Sequence, residues 1–129
     1  MRKLLLSCFL LAFSVMLASA DDAKVAKIRF ESEAYNFGQI AHKGGEVEYD
    51  FVFYNDGNAP LVIRKITKNC VCTDVEFSKK PVMPGEKGVV KVKYAPAKLP
   101  AGTFHKAIKV FTNDPRGVTI LTIHGESVE

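Results

Sequence analysis

The chain has 129 residues, 47% hydrophobic and 25% charged, with a formal net charge of +4. That length supports one domain with a core of its own. Its lysines and acids are interspersed, without a basic cluster or an arginine-flanked aromatic run, which leaves nucleic-acid binding unsupported.

Residues 1–20 read as a secretory signal. Arg2 and Lys3 form a positive start, Leu4 to Leu17 is almost wholly apolar, and Ala18-Ser19-Ala20 offers a small-residue site with cleavage after Ala20. At about 1.5 Å per residue the apolar run covers about 21 Å of a roughly 30 Å hydrocarbon core, too short for an anchor. Cys8 sits too early to be a lipoprotein cysteine. The expectation is a chain exported to the periplasm or beyond, with no transmembrane segment after processing. Without Arg2 and Lys3 the 18 basic residues become 16 against 14 acidic, and the charge falls from +4 to +2. Of the three cysteines, only Cys70 and Cys72 then remain.

Residues 21–27 read as a polar leader, and a single β domain is expected over 28–129. Ile28 and Phe30 alternate with charged neighbours, a period of two that marks a strand. Tyr35 to Gly38 is a short extended piece, and Lys43-Gly44-Gly45 a turn. Val47, Tyr49, Phe51 and Phe53 share one face of a strand over Glu46–Tyr54, with Glu46, Glu48 and Asp50 on the other. Asn55-Asp56-Gly57-Asn58 is a turn signal, because Asn and Gly accept positive φ. Strands follow over Leu61–Thr67 and over Val71–Phe77, the latter with Val71, Thr73, Val75 and Phe77 on one side. Pro84-Gly85 sets a turn. Val89–Tyr94 and Phe104–Thr112 are strands, separated by a proline-rich crossover. Val118–His124 is apolar on both faces, as a central strand would be. No window shows a helical stripe. Seven to eight short strands between Gly, Pro and Asn turns predict an immunoglobulin-like antiparallel β-sandwich. The tryptophan and distant cysteine pair of true immunoglobulin domains are missing.

Phe37-Gly38, Phe53-Tyr54-Asn55-Asp56-Gly57, Leu61-Val62-Ile63, Cys70-Val71-Cys72-Thr73, Pro84-Gly85-Glu86, Val92-Lys93-Tyr94, Gly102-Thr103-Phe104, Thr112-Asn113 and Leu121-Thr122-Ile123-His124-Gly125-Glu126 form an ordered set. Together they resemble domain-of-unknown-function family 1573, exported bacterial proteins related to ASPM/Hydin-type sandwich domains and more distantly to major sperm protein. The resemblance covers roughly Phe30 to Val128. It implies a seven- or eight-stranded sandwich, a signal peptide and a Bacteroidetes-like envelope protein, and no established activity. Val71 stands where that family often has Gly.

Chemistry is sparse. Cys70 and Cys72 are the candidate redox pair, and three readings stand open: inert residues, a local disulfide, or a soft-metal thiolate pair for copper(I). On an extended strand their Cα atoms would lie about 6.5 to 7 Å apart, whereas bridged cysteines lie about 4.4 to 6.8 Å apart. A disulfide therefore needs a bend, which Lys68-Asn69 is placed to supply. Lys68 also sits where it would lower a thiol pKa. His42, His105 and His124 are scattered and have no triad partners. No nucleophile elbow, phosphate loop, metalloprotease helix or calcium loop occurs. No catalytic residue, cofactor or metal site is expected, and the chain reads as a non-enzyme. The leading expectation is a structural or protein-interaction module of the cell envelope with a protein partner. The alternative is a thiol-redox or copper-handling protein acting through Cys70 and Cys72. Carbohydrate binding rests on fold analogy alone.

Overall fold

The computed structural model describes residues 23–129. The expected signal sequence and its expected cleavage point lie outside them, as do the first two residues of the expected leader.

Eight strands form the fold: β1 (Ile28–Phe30), β2 (Ala34–Ala41), β3 (Val47–Asn55), β4 (Ile63–Lys68), β5 (Thr73–Phe77), β6 (Lys87–Tyr94), β7 (Gly102–Thr112) and β8 (Val118–Val128). They make two four-stranded sheets, the first in the order β1-β3-β6-β5 and the second in the order β2-β8-β7-β4. The only helical piece among the described residues is a single 3-10 turn over Pro96–Lys98.

The core lies between the sheets. Phe51 and Phe53 of β3 and Val90, Val92 and Tyr94 of β6 face Ile108 and Val110 of β7 and Leu121 and Ile123 of β8, all essentially buried. The alternation read along β3 is the one observed, its apolar side chains turned inward and Glu48 and Asp50 outward. Apolar side chains spaced two apart reach one sheet face, so this pattern suffices to orient the strand. β8 is interior to its sheet, as its apolar faces suggested, and it runs four residues past His124 to Val128.

Five details depart from the sequence reading. The sandwich is not wholly antiparallel, because β2 pairs with β8 in parallel. β1 and β2 are consecutive yet belong to opposite sheets, so the chain crosses between them and meets β8 running in its direction. β2 itself is a full strand of eight residues, not a short extended piece. Leu61 does not open β4; it forms a bridge with Val82 ahead of it. β5 begins at Thr73, not at Val71.

The fifth concerns the leader. Val25 accepts hydrogen bonds at its carbonyl from Asn58 (2.9 Å) and Ala59 (3.3 Å), and Ala26 is buried, so residues 25–27 are part of the sandwich. That packing also corrects the account of Gly57. Gly57 is not among the glycines with positive φ. It is needed for space, because a Cβ there would lie 2.2 Å from the Val25 carbonyl oxygen. Gly85 does have positive φ (83°), and Glu86 N donates to Met83 O at 2.9 Å, closing the Pro-Gly turn as read.

Candidate functional site

β4 ends in the second sheet at Lys68 and β5 begins in the first at Thr73, so residues 69–72 carry the chain between sheets. Both candidate cysteines stand on this crossing. Thr73 N donates to Cys70 O at 3.1 Å, which makes Cys70–Thr73 a four-residue turn. The turn draws the Cα atoms of Cys70 and Cys72 to 5.1 Å, and the two are joined as a disulfide. The bend that a disulfide requires is present, but Val71-Cys72 supply it rather than Lys68-Asn69. Val71 is therefore not an inward strand residue. It is 74% exposed at the tip of the turn.

The surroundings of the pair are uneven. Cys72 is 2% exposed and its sulfur lies 3.6 Å from Thr73 Oγ1, whereas Cys70 is half-buried. Cys72 N donates to Cys70 Sγ at 3.1 Å. Two lysines bracket the turn. Lys68 Nζ donates to the carbonyl of Thr73, and Lys98 Nζ lies 3.5 Å from the carbonyl of Val71. Lys68 was singled out from the sequence; Lys98, on the 3-10 turn nearly thirty residues away, was not, and no local signal announces it. A copper(I) pair would require these sulfurs to be reduced first. Among the described residues no three His, Cys, Asp or Glu side chains converge as metal ligands.

The structure separates the histidines. His42 follows β2, and its Nε2 is 2.7 Å from the Leu99 carbonyl, which requires the Nε2–H tautomer and leaves Nδ1 buried without a partner. His105 and His124 are cross-strand neighbours on β7 and β8, with ring centroids 6.0 Å apart. Strand pairing brings them together across nineteen residues, which spacing alone conceals.

Two buried polar residues organise the loops. Asn55, fully buried, accepts from Gly57 N (2.9 Å) and Lys27 N (3.3 Å) and donates to the carbonyls of Ala59 (2.7 Å) and Val82 (2.9 Å). Asp114 accepts from Ile28 N at 2.9 Å, from Arg116 N at 2.8 Å and from the Arg116 guanidinium at 2.9 Å. Arg116 beside it, with these backbone donors, holds its carboxyl well below the usual range, at about 2. Asn55 closes β3 and Asp114 lies in the turn after β7, where a sequence reading stops at punctuation.

The outer faces of the sheets differ in chemistry. On the first sheet the cross-strand rows alternate in sign: Glu48–Lys93–Asp74 and Asp50–Lys91–Glu76. Lys93–Glu76 (2.7 Å) and Lys91–Glu48 (3.8 Å) pair diagonally, and Arg29–Asp56 (2.6 Å) extends the set. The corresponding rows on the second sheet are Lys65–Phe111–Val118 and Thr67–Lys109–Ile120, cationic and apolar with no acid. Lys65 Nζ lies over the Phe111 ring at 4.8 Å. Val118 and Ile120 are 40% and 49% exposed. Arg64, Lys65, Phe111, Arg116 and Val118 line a shallow groove of about 410 Å³ on this face. The period-two pattern of β8 announced two apolar faces but not that one of them is open.

The model of a family of proteins of unknown function, DUF1573, matches residues 28–127, which takes in all eight strands but for the last residue of β8. The chain belongs to the DUF1573 family. No protein of curated description matches it. Among solved structures, this DUF1573 domain is similar to a protein of unknown function from Porphyromonas gingivalis W83, with a TM-score of 0.71 and 17% identity over 81% of this chain and 48% of that one. The chain thus spans about half the length of that protein. It is also similar to an ASH/PapD-like domain of human CEP192 (TM-score 0.61, 12% identity, 81% of this chain and 87% of that one). A third likeness is to the YadV chaperone (TM-score 0.59, 14% identity, 79% and 52%). At these identities the likeness is one of fold: an immunoglobulin-like, PapD-like sandwich.

Proposed function

We propose that this DUF1573 protein is an exported, non-enzymatic module of the bacterial cell envelope that binds a protein partner through the outer face of its second sheet. The observation that carries the reading is the contrast between the two faces. On the first sheet two acid–base rows leave Val89 as the exposed aliphatic side chain, while the second presents Phe111, Val118 and Ile120 together among Lys65, Lys109 and Arg64. Exposed aliphatic and aromatic side chains contribute binding energy on desolvation, and the surrounding cations favour a partner that carries carboxylates. Sandwiches of this fold include a chaperone, YadV, and a human domain of CEP192, which fits an interaction role. Export rests on residues 1–20.

The test is a native pull-down from an envelope fraction with the processed protein as bait, quantified by mass spectrometry. Ile120→Glu and the double variant Lys65→Glu/Lys109→Glu are expected to reduce recovery of the specific partner by about tenfold, the loss typical of one disrupted central contact. Lys93→Glu, on the first sheet, is expected to leave it unchanged. Equal recovery with all three baits would place the interface elsewhere and end this reading. Cell fractionation that left the protein in the cytoplasm would end the envelope part.

A further inference from the structure

We propose that Cys70 and Cys72 form a thiol–disulfide exchange site whose substrate is a dithiol of another protein. This goes beyond the docking face and does not depend on it.

A structural staple is the competing account, and the size of the loop argues against it. In the chain-entropy picture a bridge that closes only three residues stabilises far less than one that closes a long loop. The surroundings instead suit chemistry. Cys70 is the more exposed residue of the pair and Cys72 the buried one. Val71 projects between them as an exposed apolar tip against which a partner chain can rest. The Cys72 amide aims its hydrogen at Cys70 Sγ (3.1 Å), and this donor strengthens when the sulfur becomes a thiolate. The ammonium groups of Lys68 and Lys98 are held on the carbonyls of Thr73 and Val71, on either side of the turn. An electropositive, partly exposed setting is the one that stabilises a thiolate, and a stabilised thiolate favours the reduced form of the pair.

In the forward step a substrate thiolate attacks Cys70 Sγ. The Cys70–Cys72 bond breaks, a mixed disulfide forms on Cys70, and the electron pair leaves on Cys72 as thiolate. The second thiolate of the substrate then attacks its own sulfur in the mixed disulfide and releases Cys70. The substrate dithiol ends as a disulfide. The pair ends reduced by two electrons, taking up protons according to its thiol pKa values. Reversal begins with Cys70 as nucleophile on a partner's disulfide, and Cys72 resolves the intermediate.

The reverse direction is the more direct to test. The reduced, processed protein is mixed with an oxidised two-cysteine peptide and followed by mass spectrometry after acid quenching. Cys72→Ala is expected to accumulate a mixed disulfide on Cys70, and Cys70→Ala to form about tenfold less. The wild type is expected to turn the peptide into its dithiol without a lasting adduct. Lys98→Met keeps both cysteines and sits on the surface. It is expected to slow alkylation of Cys70 by about threefold near pH 6.5, yet not near pH 9.5, where the thiol ionises regardless. A merely structural lysine would produce no such pH-dependent difference. Equal reactivity of the two cysteines, or reaction no faster than that of an unfolded cysteine peptide, overturns the proposal.

Discussion

Asp114 shows how much one side chain can decide. It is 5% exposed and joins the start of β1, through Ile28 N, to the turn between β7 and β8. Its carboxyl is lowered from 3.8 to about 2, chiefly by the Arg116 hydrogen bonds, with burial acting in the opposite sense. Because the folded value is the depressed one, its contribution is fully present above about pH 4 and is lost as pH falls through about 2. At 1.36 kcal/mol per unit this is about 2 kcal/mol. Urea denaturation at a series of pH values is expected to show that loss between about pH 4 and 2. Asp114→Asn should be less stable at neutral pH and should flatten this part of the profile. Glu76 is lowered as well, by its hydrogen bond to Lys93 on the surface, so the informative quantity is the difference between the two profiles. A variant that tracks the parent at every pH would show that the carboxylate is not the clamp.

At the scale of elements, β3 was legible because its rule is local: side chains two apart share a face. The same rule misplaced the start of β5. Cys70-Val71-Cys72-Thr73 alternates in sequence, but the bond from Thr73 N to Cys70 O folds the alternation into a turn. The parallel pairing of β2 with β8 joins the two ends of the domain and has no local signature. Gly88 carries a similar non-local reason. It lies near the start of β6, and a Cβ on it would lie 2.5 Å from Cζ of Phe53 on the neighbouring strand. Phe53 is buried and packs against Phe30 at a centroid distance of 5.5 Å, so the ring has little room to retreat. Gly88→Ala is expected to cost about 1–3 kcal/mol as an overpacked core site. Adding Phe53→Leu should return part of that cost, a non-additivity of about 1 kcal/mol in a double-mutant cycle by urea unfolding. Strict additivity would mean that the ring is not what excludes the methyl group.

The whole molecule separates three tasks by place. The interior between the sheets holds the fold, one outer face is neutralised by ion pairs, and the crossing from β4 to β5 holds the disulfide at the edge of the core. That division predicts which losses the fold can bear. Leu121, fully buried at the centre of β8, should cost about 2–5 kcal/mol as Leu121→Ala, because transfer and cavity terms add. The Cys70→Ala/Cys72→Ala double variant removes a three-residue loop closure and small side chains, and should cost no more than about 2 kcal/mol. It is expected to keep the β circular-dichroism spectrum of the parent and a single cooperative urea transition at a slightly lower midpoint. Reducing the parent with excess dithiol should give a similar shift. A loss above about 4 kcal/mol would exceed anything a loop this short removes from the unfolded chain. The pair would then be a staple for the crossing between sheets, and an exchange role would have to destabilise the domain each time it turned over.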